Sequence, residues 1–150
     1  MTYDTSPEKV LSRWMALDIG SKRIGVAISD FLKLTAKPLL TVKRQSLTQD
    51  VQTLIELATE HQVSRIVIGR PLNLHGTRTP ILDLIERFTD ALEQQTALEI
   101  DWADERLSTK EAELLMTAQG VKISHRKAKR DEYAAALILT WYLEERTGAF

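Results

Sequence analysis

Residues 14–30 read WMALDIGSKRIGVAISD, and this stretch decides the fold. Residues 14–20 are apolar up to the carboxylate of Asp18, and residues 23–30 carry an apolar side chain at every other position. Both patterns are typical of β-strands. Only two residues separate the segments, and so short a connection makes them antiparallel neighbours. The stretch therefore predicts a hairpin whose first strand ends at an acidic residue.

The rest of the chain adds a third extended segment and then helices and strands. Residues 34–43 read as extended, and Pro38 within them favours a sheet edge, where a missing N–H is harmless. Capping-box patterns and helical apolar spacing predict helices, and a short continuous apolar run predicts a central strand. The predicted elements are helix 47–60, strand 64–69, loop 70–76, helix 80–95, strand 97–103, helix 109–119 and helix 131–145.

The order of these elements predicts the fold class. The strand–helix–strand unit implies parallel pairing with a right-handed crossover, whereas the first three extended segments form a meander. We therefore expect an α/β fold with a mixed five-stranded sheet, an antiparallel meander plus parallel strands, flanked by helices. We assign residues 14–146 to a single domain, residues 1–13 to a disordered tail and residues 147–150 to a short tail.

Composition narrows the class of protein. The chain has 150 residues, of which 43% are hydrophobic and 27% charged, no cysteine and a net charge of −1. These values are ordinary for a soluble globular domain, and neither a membrane-spanning run nor the apolar centre of a signal peptide is present. We expect a cytoplasmic protein without disulfides, thiolate metal sites or a membrane partner. The net charge disfavours a protein that coats nucleic acid by bulk charge.

Three carboxylates stand out by their positions. Asp18 ends an apolar strand, Glu105 lies just past the end of another, and Asp131 opens the first turn of the last helix. Converging carboxylates are hard oxygen ligands that suit Mg²⁺ or Mn²⁺, and such a site can shield the charge of a phosphodiester. Each residue also has a structural explanation: a turn for Asp18, pairing with Arg106 for Glu105, and the helix macrodipole for Asp131. Spacing alone leaves both explanations open.

Four blocks of sequence resemble, in order, the YqgF-type family of bacterial Holliday-junction-resolvase-like pre-16S rRNA nucleases. They are ALDIGSKRIGVAISD at 16–30, IVIGRPLNLHGT at 66–77, DERLST at 104–109, and Asp131 followed by AAALIL at 134–139. The resemblance covers about residues 14–145. It implies an RNase H-like fold and a metal-dependent nuclease, with Asp18, Glu105 and Asp131 as catalytic residues and as ligands of Mg²⁺ or Mn²⁺.

The resemblance also implies a substrate. The expected activity is phosphodiester cleavage in 5′-end maturation of pre-16S rRNA, with pre-rRNA or a pre-ribosomal particle as partner, branched DNA as a second substrate class, and a monomer or homodimer as the assembly. Basic side chains near the carboxylates would then contact the nucleic-acid backbone. These candidates are Lys22, Arg23, Arg106, Arg126, Lys127, Lys129 and Arg130. The last four lie in a basic stretch that we interpret as a loop before the last helix.

Other functions fit parts of the pattern. A non-catalytic ribosome-assembly factor would bind RNA through the basic stretch without metal-dependent cleavage, and a resolvase would act on Holliday junctions or other branched DNA. Asp18-Ile19-Gly20 followed by a strand also resembles the first phosphate motif of actin-like and sugar-kinase-like phosphotransferases. Those enzymes need two such domains, so a chain of 150 residues with one copy disfavours this class.

Overall fold

A computed structural model describes residues 11–71, 76–105 and 109–147. Within these ranges the chain forms five strands and four helices. The strands are β1 (Arg13–Ile19), β2 (Arg23–Ser29), β3 (Ala36–Lys43), β4 (Val63–Pro71) and β5 (Glu99–Glu105). The helices are α1 (Leu47–Glu60), α2 (Pro80–Gln95), α3 (Thr109–Ala118) and α4 (Ile123–Thr147). None of these helices is long and apolar enough to cross a membrane.

The strands form one mixed sheet in the order β3-β2-β1-β4-β5. β1 pairs antiparallel with β2, and β2 with β3, whereas β4 pairs parallel with both β1 and β5. The predicted meander and parallel unit are therefore confirmed. Pro38 lies on β3 at the edge of the sheet, as expected, and the register between β2 and β3 shifts beside it.

The two faces of the sheet carry different side chains. Residues such as Leu17, Val26 and Ile68 face α1 and α2 and form the main core with Leu54 and Phe88. The opposite face is lined by smaller residues, because α4 packs closely on it. Its contacts join Ala16, Ala27 and Val67 of the sheet to Ala135, Ala136, Ile138 and Leu139 of α4.

The closest approach between α4 and the sheet is at Gly25 on β2. A Cβ atom placed there would lie 1.9 Å from the carbonyl oxygen of Asp131 and 2.2 Å from its carbonyl carbon. No other residue fits unless the helix moves. Gly25 is the register partner of Asp18 across β1 and β2, so this contact also places the Asp131 backbone beside Asp18.

The start of α4 differs from the prediction. The helix begins at Ile123, not at Asp131, so the basic stretch that we interpreted as a loop is helical. Asp131 lies eight residues into the helix, and its macrodipole explanation is therefore wrong. Residues 123–131 contain neither glycine nor proline, and Lys, Arg and Ala are favourable helix formers. A concentration of charge therefore did not prevent helix formation.

Several strand ends also differ from the prediction. β4 continues through Arg70 and Pro71, for which the sequence predicts a loop, and Glu105 is the last residue of β5, not a residue beyond it. Pairing with the neighbouring strand explains both, since the register joins Arg70 to Asp104 and Pro71 to Glu105. β1 begins at Arg13, inside the expected tail, whose residues 1–10 lie outside the described ranges, as do 148–150.

The contact at Gly25 can be tested by substitution. We expect Gly25→Ala to lower the free energy of unfolding by about 3 kcal/mol or more, at the upper end of overpacking effects, because the added methyl meets backbone that cannot turn aside. Urea unfolding followed by circular dichroism measures this loss.

Gly69→Ala is the matched control. A Cβ atom at Gly69 would meet the flexible end of the Ile138 side chain, Cδ1, at 2.5 Å, and that atom can rotate away. We expect a loss of about 1 kcal/mol. Equal losses in the two variants would show that the approach of α4 at Gly25 is not a rigid constraint.

Candidate active site

The three predicted carboxylates come from three elements on the face of the sheet that α4 covers. Asp18 shares its side of β1 with Ala16, and Glu105 shares its side of β5 with Ala103, because side chains alternate along a strand. Ala16 and Ala103 both pack in the cluster under α4. Asp131 lies on α4 itself, above Gly25. The fold therefore brings Asp18, Glu105 and Asp131 towards the same end of the sheet.

The electrostatics of Asp18 reflect these neighbours. Burial first, and then the negative charges of Glu105 and Asp131, raise the pKa of Asp18 to about 7. Burial also raises the pKa of Glu105. In the part of the chain that the structure describes, no cation and no hydrogen-bond donor contacts either carboxylate. Like charges held together at a partly buried place destabilise the fold unless a positive group offsets them.

Asp131 has a partner that the sequence analysis did not foresee. Nε of Arg23 donates a hydrogen bond to Oδ2 of Asp131 at 2.8 Å, and 53% of the Arg23 side chain remains exposed. Arg23 opens β2 two residues before Gly25, so both face α4. The resemblance predicts a phosphate contact for Arg23. The ion pair leaves its two terminal NH₂ groups without a partner among the described residues.

The donor set can be compared with the needs of a divalent cation. As the side chains stand, no three His, Asp or Glu residues of the described ranges are arranged to hold one metal ion. Asp18 and Glu105 nevertheless offer hard oxygen ligands without a cationic partner, which is the chemistry that Mg²⁺ and Mn²⁺ require. Asp131 could join them if its carboxylate turned from Arg23. The residues therefore fit such an ion chemically, with one ligand held by an ion pair.

The basic candidates of α4 divide into two pairs. Arg126 donates through Nε to the carbonyl oxygen of Val121 at 3.1 Å, and Arg130 forms an ion pair with Glu113 of α3 at 3.5 Å. These two contacts stabilise the junction between α3 and α4. Lys127 and Lys129 are exposed, and so is Lys22 in the turn between β1 and β2. Arg106 lies outside the described residues.

A buried ion pair that sequence reasoning missed supports the turn after Asp18. Asp50 is only 1% exposed and accepts a hydrogen bond from Nε of Arg44 at 3.1 Å. Arg44 also donates to the carbonyl oxygen of Gly20 at 3.3 Å and lies over the ring of Phe88. The one indication of this ion pair in the sequence is that Asp50 is an acidic residue in the first turn of a predicted helix. Arg44 thus joins the β1–β2 turn to α1.

Comparison with known proteins gives a family and close relatives. The model of the RuvX family, described as Holliday junction resolvase, matches residues 12–145. A protein of Endomicrobium trichonymphae is 39% identical over 135 residues, with 89% of this chain and 96% of that protein covered. One of Carboxydothermus hydrogenoformans is 41% identical over 133 residues, with coverages of 89% and 96%. Both are named as candidate pre-16S rRNA nucleases.

Solved structures agree with the fold. The T. thermophilus RuvC protein in complex with a Holliday junction substrate matches with a TM-score of 0.59 at 15% identity, covering 91% of this chain and 96% of that one. The Fowlpox virus resolvase in complex with Holliday junction DNA matches with a TM-score of 0.56 at 16% identity, with coverages of 89% and 98%. At these identities the likeness concerns the fold, and it confirms the RNase H-like class.

The raised pKa of Asp18 predicts a pH dependence of stability in metal-free protein. The folded-state pKa lies above the ordinary value of 3.8, so the folded form holds a proton that the unfolded form has lost. Stability therefore falls as pH rises between these two values. We expect Asp18→Asn to remove most of this fall and to raise the free energy of unfolding at pH 8 by roughly 1–3 kcal/mol. The upper limit on this gain is about 1.36 kcal/mol per pKa unit. The expected gain lies below this limit because the site is partly solvated.

Urea unfolding at several pH values between 5 and 8, in the presence of EDTA, measures this effect. Asp104→Asn is the matched control, because Asp104 is exposed beside Glu105 and forms an ion pair with Arg70 at 3.2 Å. It should leave the pH dependence of the parent unchanged. A pH dependence that survives in Asp18→Asn would mean that Asp18 does not bear the electrostatic cost.

Proposed function

The chain belongs to the RuvX family of Holliday junction resolvases, and from this membership we propose that it is a metal-dependent nuclease that cleaves phosphodiester bonds in pre-16S rRNA. The enzyme class follows from the family, and the substrate from the names of its relatives. One observation carries the metal dependence. Asp18 is a partly buried carboxylate whose pKa is raised by burial and by Glu105 and Asp131, and no cation of the described residues offsets its charge.

Each residue of the cluster has a role in this proposal. Asp18, Glu105 and Asp131 would hold Mg²⁺ or Mn²⁺. A divalent cation at this place supplies charge stabilisation of the phosphodiester and activation of a water molecule. Arg23 positions Asp131 through Nε, and its terminal N–H groups are available for a phosphate oxygen, since arginine binds phosphate through several parallel hydrogen bonds.

Branched DNA is the second candidate substrate. The family description names Holliday junction resolvases, and the fold matches a RuvC structure that contains a junction. The same carboxylates would serve either substrate, because both contain phosphodiesters in a charged backbone. The curated relatives favour RNA as the substrate of this chain.

Removal of Asp18 tests the mechanism. We expect Asp18→Asn to reduce cleavage of a model RNA that carries the 5′ precursor segment of 16S rRNA at least about 100-fold, the loss typical of removing one major electrostatic contribution to catalysis. Gel analysis of 5′-labelled RNA with Mg²⁺ or Mn²⁺ measures the rate, and EDTA should abolish cleavage by the parent.

The Asp104→Asn variant should cleave like the parent, because this neighbouring carboxylate is exposed and paired with Arg70. A four-way DNA junction of equal length distinguishes the two substrates. Cleavage by Asp18→Asn at the parental rate would exclude the proposed mechanism, and RNA binding without cleavage by the parent would favour a non-catalytic assembly factor.

A further inference from the structure

A cleft with a volume of about 760 Å³ lies beside the carboxylate cluster. Its walls are the turn between β1 and β2, the end of β3, the start of α1, and one residue each of α2 and α4. In residue numbers these are 21–23, 41, 43–47 and 50, with Leu84 and Ala128. We call this feature the basic cleft, because four cationic residues line it: Lys22, Arg23, Lys43 and Arg44.

The charges in the basic cleft do not cancel. Asp50 is the one acidic residue among the described residues of its lining, and the buried ion pair with Arg44 already neutralises it. Within the described ranges, neither Lys22 nor Lys43 has a carboxylate partner, and both are exposed. The cleft therefore keeps a surplus of positive charge that the fold itself does not use.

The basic cleft leads directly to the candidate active site. Arg23 lines the cleft and also donates a hydrogen bond to Asp131. Ala128 on the other wall precedes Asp131 by three residues, about one turn of α4. A polyanion lying in the cleft would thus reach the carboxylate cluster at one end.

We propose that the basic cleft binds the sugar-phosphate backbone of a single RNA strand next to the bond that is cleaved, with Lys22 and Lys43 contacting phosphates. The proposal rests on the proposed function and names the path of its substrate. Lysine contacts to phosphate provide affinity without sequence preference.

The form of the cleft favours a single strand held by its backbone. None of the described residues that line the cleft is aromatic, so these residues do not hold bases by stacking, the usual way in which proteins bind unpaired bases. The volume is that of a small-molecule pocket, in the range of roughly 300–1,000 Å³. Shape recognition of double-stranded RNA uses surfaces that span about 16 base pairs, which is far larger.

The test measures binding and its dependence on salt. A 5′-labelled single-stranded RNA of mixed sequence is titrated with protein in EDTA, which prevents cleavage, at several KCl concentrations. For single strands each phosphate contact contributes about −0.7 to the slope of log K against log salt. We expect Lys43→Gln to make the slope less steep by about 0.7, and Lys22→Gln with Lys43→Gln by about 1.4, with roughly tenfold weaker binding at low salt.

Lys37→Gln is the matched control. Lys37 is an exposed lysine on the same strand, β3, but at its opposite end, about 20 Å away by the rise of a strand. It should bind RNA with the slope and affinity of the parent. Arg44 and Arg23 are left intact, because the first supports the β1–β2 turn and the second contacts the candidate site. Thermal melting should confirm that the exposed substitutions leave the fold intact.

Each outcome decides the proposal. Loss of slope in Lys43→Gln but not in Lys37→Gln supports the cleft, even if the parent never cleaves RNA, in which case only the proposed function fails. An unchanged slope in the double variant overturns the cleft, even if the parent cleaves pre-rRNA normally. Equal loss in Lys43→Gln and Lys37→Gln, an effect confined to duplex RNA, or no binding of single strands by the parent also overturns it.

Discussion

The backbone contact between Gly25 and Asp131 is the constraint on which the site depends. It brings α4 so close to β2 that the carbonyl of Asp131 occupies the space of a side chain. Gly25 is also the register partner of Asp18. One missing Cβ atom therefore determines how near a carboxylate on the helix can come to a carboxylate on the sheet. A helix that packed on bulky side chains at this position would hold Asp131 farther from the sheet.

The C-terminal part of α4 is held by a polar network. The Tyr142 hydroxyl donates to Oδ2 of Asp101 on β5 at 2.6 Å and accepts from Arg65 on β4 at 3.1 Å. The ring of Trp14 on β1 meets the Tyr142 ring edge-on, with centroids 5.6 Å apart. Three strands thus bind one aromatic side chain of α4. Held against the sheet at Gly25 and again at Tyr142, the helix carries Asp131 on a rigid support, and rigid supports are what a site with exact ligand geometry requires.

The elements that depend on local periodicity could be predicted from the sequence. The strand ends, the start of α4 and the ion pairs could not, because contacts between elements determine them. The apolar run that ends at Asp18 located β1, the apolar alternation after it located β2, and the capping box at Ser46 located the start of α1. The predicted start of α4 at Asp131 is wrong, because a run of basic residues does not by itself indicate a loop. The ion pairs of Arg23 with Asp131 and of Arg44 with Asp50 join residues from different elements. The spacing of residues in the sequence does not predict such pairs, because they form only when the fold brings the two elements together.

The arrangement of charge resolves a difficulty that the carboxylates create. A cluster of acidic side chains repels the phosphates of a nucleic acid, and the net charge of −1 gives no attraction at long range. Charges separated by more than about 8 Å are largely screened at physiological salt, so only cations next to the cluster can offset the repulsion. Arg23 contacts Asp131, and the lysines of the basic cleft follow it along the same wall. In the proposed binding mode, the approach of a polyanion to this acidic site therefore depends on the cations beside it and not on the net charge of the chain.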